Sequence, residues 1–450
     1  MESLKIKFSQ SLTLKVTTIA LLTLILLIPT AMIRNLITER QERSSETVQK
    51  IYDKWSRPQT LCAPLLLVPY TITKIDKDSM PYYEAQTLHI TPKELKIDVK
   101  LTPEERHYGI YKAILYRSYI HFTGNFSGLA NLKIDNCEIH FEKAQIAIGF
   151  SDLKGITQNP DFKINNTTCE VTVGEEMRLD TYSINKSIKN LIVNLKDEIL
   201  PDNINFDCTM QLNGSSAISF IPIGQNTVVT VNGQWPSPSF IGEFSPESTI
   251  DKEQFNATWH ILSFNREIPE MWSDTKTAKL TDSSFGVSLF EPVDHYQQNM
   301  RSVKYALMII ALTFTVFFFV EMITKKHITV FQYVLAGIAL ILFYSLLLSL
   351  SEQIGYGWAY LLASIATISM IAIYFNSLIK QNLATFILAG IMTSLYAFLY
   401  MILQVEDSAL LLGSIFLFVI LGIIMFVSNK IQLERPTHIE EESVNKTNEE

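Results

Sequence analysis

The sequence predicts a multi-pass α-helical membrane protein carrying a large inserted all-β, sandwich-like domain. Three observations predict it. Apolar residues make up 48% of the 450 residues, but they concentrate in one early block and in nearly all of Tyr305–Val427. From Tyr305 the chain carries no charge until Glu321, close to the ~20 apolar residues that cross a bilayer core of about 30 Å. Between the two apolar regions, from Glu84 to about Phe290, residues alternate with period two and turn residues separate the runs, the pattern of half-buried strands.

The first element is a short basic stretch with Lys5, Lys7 and Lys15, followed by the apolar run Val16–Ile33. A cleaved signal peptide ends in small residues, whereas this run ends in Met32 and Ile33. It is read as a retained transmembrane helix. Ile33, Leu36, Ile37, Val48, Ile51, Tyr52 and Trp55 then recur at three- and four-residue steps around the charged run Glu39–Glu46, which predicts a stalk helix. Arg57-Pro58 stops it.

The apolar run Leu61–Tyr70 between prolines predicts a buried strand. Further strands are expected at Leu95–Leu101, Ile110–Ile120, Leu132–Phe141, Gln145–Phe150, Ile164–Val173, Leu191–Leu195, Ile204–Leu212, Ser216–Ile223, Thr227–Val231 and Phe255–Phe264. Helix signals are few, Thr102–Tyr111 being the best. About 250 residues suffice for a substantial core.

The organisation is therefore a cytoplasmic N-terminus (1–15), a first span (16–33), a stalk (34–56) and an outer β-rich domain (57–304). Five spans follow at 305–323, 328–350, 358–375, 384–403 and 409–427, then an acidic cytoplasmic tail (428–450) with no apolar periodicity. Lys325-Lys326, Lys380, Lys430 and Arg435 fall on alternate links, on the same side as Lys5, Lys7 and Lys15; the opposite links hold Glu352, Glu406 and Asp407 and no Lys or Arg. Lys and Arg favour the cytoplasmic side, so both termini are expected inside and the β domain outside. Tyr305, Tyr356 and Trp358 fall where an aromatic belt would. The net charge of −8, with no basic stripe, argues against a nucleic-acid partner. The expected surroundings are the lipid bilayer.

Candidate chemistry is thin. No Walker loop, GxSxG, HExxH or helix-opening GxGxxG occurs, and no catalytic residue, cofactor or metal is assigned. Cys62, Cys137, Cys169 and Cys208 all lie in the β domain. An oxidising compartment permits disulfides, and buried free thiols suit mid-strand positions as well. The junction Glu291, Pro292, Asp294, His295, Tyr296, Arg301 and Lys304 joins the two regions. Asp294-His295 could be an acid/base or metal pair, but a metal site needs more ligands, and a structural hydrogen-bonded pair is the simpler reading. Glu321 is the acid within a span; proton coupling competes with a cheaper i,i+4 pair with Lys325. Trp235, Pro236, Pro238 and Phe240 could shape a ligand groove, or a rigid packed corner, which is preferred. The last five spans contain no proline, against active transport through broken helices.

Several stretches together resemble the inner-membrane CreD family. They are Trp55 with Gln59-Thr60-Leu61 and Pro64 to Tyr70; Tyr111-Lys112-Ala113 with Tyr116-Arg117; Trp235 through Gly242 with Phe244; Trp259 with Arg266 and Pro269; and Gly286-Val287 through Glu291-Pro292-Val293-Asp294-His295-Tyr296 to Lys304-Tyr305. The Glu-Pro-Val-Asp-His-Tyr run is the most specific. Cys62 departs from the family pattern, which has glycine there. The resemblance implies a bacterial inner-membrane location and a role in cell-envelope integrity and stress. It supplies no catalytic residues. The function expected is a non-enzymatic envelope protein whose periplasmic domain binds an envelope component or partner protein. A channel or lipid/solute transporter is the alternative, and an envelope-modifying enzyme the second.

Overall fold

The computed structural model describes residues 2–75, 80–132, 137–175, 177–178, 187–195, 201–273, 280–289, 295–324, 326–405 and 409–430. The chain divides into two compact units: Arg43–Pro292, and Met1–Glu42 with Val293–Glu450.

Among the described residues, the β unit contains two sheets. One runs along the path Met177–Arg178, Ser187–Asn194, Gln145–Phe150, Gln59–Ile75, Ala217–Ile221, Phe285–Leu289, Pro238–Gly242, with four further strands paired beside it, Pro81–Ile90 the longest of them. The other has the order Glu247–Ile250, Phe255–Leu262, Asn226–Gly233, Glu94–Tyr108, Tyr111–Ser127, Asn203–Ser215, Asp161–Ile164, Thr167–Cys169. Alternation of burial along the strands puts one face of each sheet into a shared core. Leu61, Val68, Ile146, Phe150 and Phe285 come from the first sheet; Ile97, Phe122, Phe206, Val231 and Trp259 come from the second. The sandwich-like domain expected from period-two alternation is present.

Three local readings need correction. Thr102–Tyr111 is not a helix: Glu94–Tyr108 and Tyr111–Ser127 form one long hairpin with Thr102 opposite Arg117 and Tyr108 opposite Tyr111. Gly109, at φ 61°, makes the tight turn, where a side chain would be strained. Cross-strand pairing overrides the helix-like composition of Glu104, Glu105 and Arg106. Ile164–Val173 is not one strand, because Asn165 and Asn166 at φ 46° and 69° fold it into the hairpin Asp161–Ile164/Thr167–Cys169. Of the Leu132–Phe141 run, Cys137–Ile139 is strand. All four cysteines are free thiols, Cys62 and Cys208 fully buried, so the disulfide alternative is set aside. Burial pushes both thiols up to about 12.

The other unit is helical: α1 (Glu2–Ile25), α2 (Leu27–Trp55), α3 (His295–Lys304), α4 (Ala306–Thr324), α5 (Val330–Ile354), α6 (Tyr356–Ile379), α7 (Asn382–Gln404) and α8 (Ala409–Lys430). α2 runs unbroken from Leu27 to Trp55, so the expected first span and stalk are not separated at Ile33/Arg34. The polar linker read before Tyr305 is helical from His295 onward. Among the described residues, five helical stretches are long and apolar enough to cross a membrane: Thr13–Trp55, α4, α5, α6 and α7; Leu411–Phe426 within α8 is a shorter apolar helix. Phe314, Phe317, Leu340, Phe343, Tyr344, Tyr360 and Leu399 fill the interior. Leu342, Leu362, Ile365 and Phe386 are exposed, as befits helices solvated by lipid rather than water. Trp358 is also exposed, as a belt residue should be, but Tyr356 is buried.

Candidate functional site

The residues singled out above fall into three places, none of which combines with another. Of the junction, Glu291, Pro292 and Asp294 lie outside the described residues, so the Asp294-His295 pair has no geometry to report. His295 opens α3, and its ring lies 4.2 Å from that of Tyr296. Tyr296, Asn299, Ser302 and Val303 form the buried stripe of this helix. The Tyr296 hydroxyl donates to Glu352 Oε1 at 3.1 Å, and Arg40 reaches Glu352 Oε2 at 4.0 Å. Asn299 Nδ2 donates to Ser351 Oγ at 2.8 Å, and Ser302 Oγ meets the Tyr356 hydroxyl at 2.6 Å. Arg301 and Lys304 occupy the last turn of α3, where cations favour the negative end of the helix dipole. Tyr296, Asn299 and Ser302, at i, i+3 and i+6, therefore seat α3 by polar contacts on the end of α5 and the start of α6.

Glu321 is buried near the end of α4. Its described partners differ from the pair anticipated with Lys325, which lies outside the described residues. Oε1 is ion-paired with Lys15 and accepts from the Ile328 amide at 3.1 Å, with His327 Nδ1 at 3.0 Å. The Tyr333 hydroxyl donates to Oε2 at 3.4 Å. Lys15 also lies 3.1 Å from His327 Nδ1 and donates to the Ile328 carbonyl at 3.2 Å. A buried carboxylate with a cation and an amide donor is chemically satisfied. The arrangement fastens α1 to the α4–α5 link.

The Trp235–Gly242 stretch forms a packed corner. Pro238 begins an edge strand, where its missing N–H costs nothing, and Phe240 pairs opposite Val287. Trp235 is buried while Pro236 is exposed. Phe240 meets Trp259 edge-on at 5.9 Å, and Trp259 lies 5.2 Å from Phe285. The Trp259 indole donates to the Phe244 carbonyl at 3.0 Å. These rings fill the domain core rather than line a groove.

Sequence reasoning missed two features. Arg266 is buried, and its guanidinium donates to the carbonyls of Ile223, Gly224 and Ile268. Burial lowers it to about 10. No side-chain partner marks such a clamp in a sequence. The second is a pair of hollows of about 620 and 580 Å³ on the outer face of the second sheet; Lys100 and Thr102 line both. Many of their lining residues are polar positions of ordinary alternating strands, joined by Trp55 at the end of a helix and by loop residues such as Gln158 and Gln254, a set that carries no motif. Among the described residues, no group of three or more His, Cys, Asp or Glu is placed to hold a metal ion.

A two-sheet domain inserted between apolar helices defines the class: a multi-pass membrane protein carrying a folded soluble domain. The family model described as inner membrane protein CreD matches residues 11–434, and the chain belongs to this family of inner membrane proteins. It is 31% identical over 431 residues to inner membrane protein CreD of Escherichia coli K12, covering 93% of this chain and 92% of the relative. Solved structures are only distantly alike. An M1 zinc metallopeptidase from Deinococcus radiodurans covers 45% of this chain and 42% of its own at 8% identity, with a TM-score of 0.21. A candidate nutrient binding protein from Legionella pneumophila covers 55% and 85% at 8% identity, with a TM-score of 0.24. Neither carries an argument about function.

Proposed function

We propose that this chain is a non-enzymatic envelope-maintenance protein whose β domain faces the periplasm and binds an envelope component, with the helices as its membrane anchor. The observation that carries this reading is the combination of a large two-sheet domain with CreD family membership. The charge pattern of the links supports the orientation, both termini lying in the cytoplasm. The partner is an envelope polymer, lipid or protein met on that side. The Lys15–Glu321 and Tyr296–Glu352 contacts fasten helices to one another.

Photo-crosslinking in intact cells tests the reading, with the probe placed on exposed β-domain positions. Capture of an envelope component is the expected result. Protease added to spheroplasts should cleave the region between α2 and α3 and spare both termini; an untouched β domain would overturn the orientation.

A channel or transporter is the second reading, and one observation favours it. Thr313 Oγ1, Tyr344 OH and Tyr396 OH are buried among the helices and, among the described residues, have no hydrogen-bond partner. Such groups call for water or a polar ligand. Solute flux through the purified protein in liposomes would establish this reading over the first.

A further inference from the structure

The outer face of the second sheet is not uniform. Many of its polar side chains pair with one another. His121 Nε2 lies 3.1 Å from Asp207 Oδ2 on the next strand, and Lys96 lies 2.9 Å from Asp98 along its own strand. Asn125 donates to Asn203 at 3.2 Å, Asn226 to Glu94 at 2.7 Å, and Thr230 lies 3.5 Å from Thr258. One row differs. The register places Gln211 opposite Tyr119, Tyr119 opposite Lys100, Lys100 opposite Asn232, Asn232 opposite Asn256, and Asn256 opposite Thr249.

All six residues point outward and are exposed, since their strand neighbours Met210, Ile120, Val99, Val231 and Ala257 are buried. Among the described residues, the amides of Gln211, Asn232 and Asn256 form no side-chain hydrogen bond, and Lys100 has no carboxylate partner. The two hollows lie on either side of Lys100. One is lined by Trp55, Arg117, Tyr119, Gln158 and Gln211, the other by Asn232, Gln234, Asp251, Gln254 and Asn256. The row crosses six strands spaced about 4.8 Å apart, a straight track of roughly 24 Å.

The chemistry of this row is selective. Side-chain amides offer a donor and an acceptor side by side, matching the vicinal hydroxyls of a sugar ring. Tyr119, 49% exposed, offers a ring face to the apolar face of a pyranose. Lys100 adds the row's positive charge, between Tyr119 and Asn232 and in the same hollow as Arg117, complementary to a carboxylate. A protein partner would want an apolar centre, which the row lacks, and a nucleic acid would want several cations along a backbone.

We propose that the Gln211–Tyr119–Lys100–Asn232–Asn256 row binds an extended, carboxylate-bearing glycan, laid across the strands with a carboxylate at Lys100. This rests on the reading above that the β domain meets the envelope, and it names the ligand class and the site.

The test uses the full-length protein in detergent micelles and three probes: solubilised peptidoglycan strands, polygalacturonate and neutral dextran. The two carboxylated polymers should bind, and dextran should bind about tenfold more weakly, the scale of one lost charge-assisted contact. Lys100→Gln should bring the carboxylated polymers to the dextran level. Tyr119→Ala should weaken all three. Asn125→Ala, in a self-paired row, should change none. All three positions are on the surface, and unchanged melting temperatures confirm intact variants. Absence of binding to both carboxylated polymers, or binding indifferent to Lys100→Gln and Tyr119→Ala, overturns the proposal. If crosslinking in intact cells still captures an envelope lipid or protein on the β domain, the proposed function survives and only the glycan site falls. If it captures nothing, both fall.

Discussion

The Lys15 ammonium is ion-paired with the Glu321 carboxylate, 306 residues further along the chain. The contact joins the start of the first membrane-spanning stretch to the end of α4, and it leaves the Glu321 charge compensated where few water molecules could reach it. Removing one member strands the other. Lys15→Met and Glu321→Gln should each lower the melting temperature of the purified protein in detergent. The double variant should lose less than the sum of the two, with a coupling of about 1.5–3 kcal/mol, typical of hydrogen bonds to charged groups. Strict additivity would mean the pair contributes nothing.

Arg266 holds three backbone carbonyls. Arg266→Met keeps most of the volume but leaves those acceptors buried and unpaired. The cost should be about 2–4 kcal/mol to the β domain, read as an earlier near-UV circular dichroism transition. Arg266→Lys should recover only part, because an ammonium cannot fork to three carbonyls at once.

The two buried thiols give a pH dependence with a definite sign. Cys62 and Cys208 are held up to about 12 by burial, against about 8.5 for a free thiol. Below 8.5 both states carry neutral thiols and nothing is lost. Above it the unfolded chain ionises while the folded one does not. Stability should then fall by about 1.4 kcal/mol per pH unit for each thiol as the pH rises toward 12. Alkylation at pH 8 should spare Cys62 and Cys208 until denaturant is added. Replacing both with Ala should remove this slope, measured by urea unfolding between pH 8 and 10.5.

Gly242 sits at φ 94°, and a Cβ there would fall 2.1 Å from the Ser284 carbonyl oxygen. Gly242→Ala combines left-handed strain with a backbone clash. It should cost about 1–3 kcal/mol and loosen the edge strand Pro238–Gly242. Faster hydrogen exchange at Phe240 and Ile241, with the Gln145–Phe150 strand unchanged, would show the local effect.

How much of this was legible in advance depended on the range of the forces involved. Gln145–Phe150 is a strand in both readings, because its apolar run and flanking polar residues are local facts. The apolar spans are equally local. Glu104-Glu105-Arg106 misled because its composition suits a helix, while the decision came from Ile114 and Leu115 on the opposing strand. Glu321 drew attention, but Lys325 was the partner a sequence offers; Lys15 is near only after folding. The uncommitted row through Lys100 is invisible along the chain, since its members come from six separate strands and meet only through register.

One pairing governs how the β domain can be made. Gln59–Cys62, near the domain's beginning, lies parallel to Ala217–Ile221 in the middle of its sheet, and Ala217–Ile221 in turn needs Phe285–Leu289 at the domain's end. A chain threaded across a bilayer from its amino end therefore emerges with one edge of Ala217–Ile221 unmatched until Phe285–Leu289 has crossed. The domain must be completed in one late step, so conditions that stall export should catch it as an open, sticky intermediate that depends on holdases and is vulnerable to proteases.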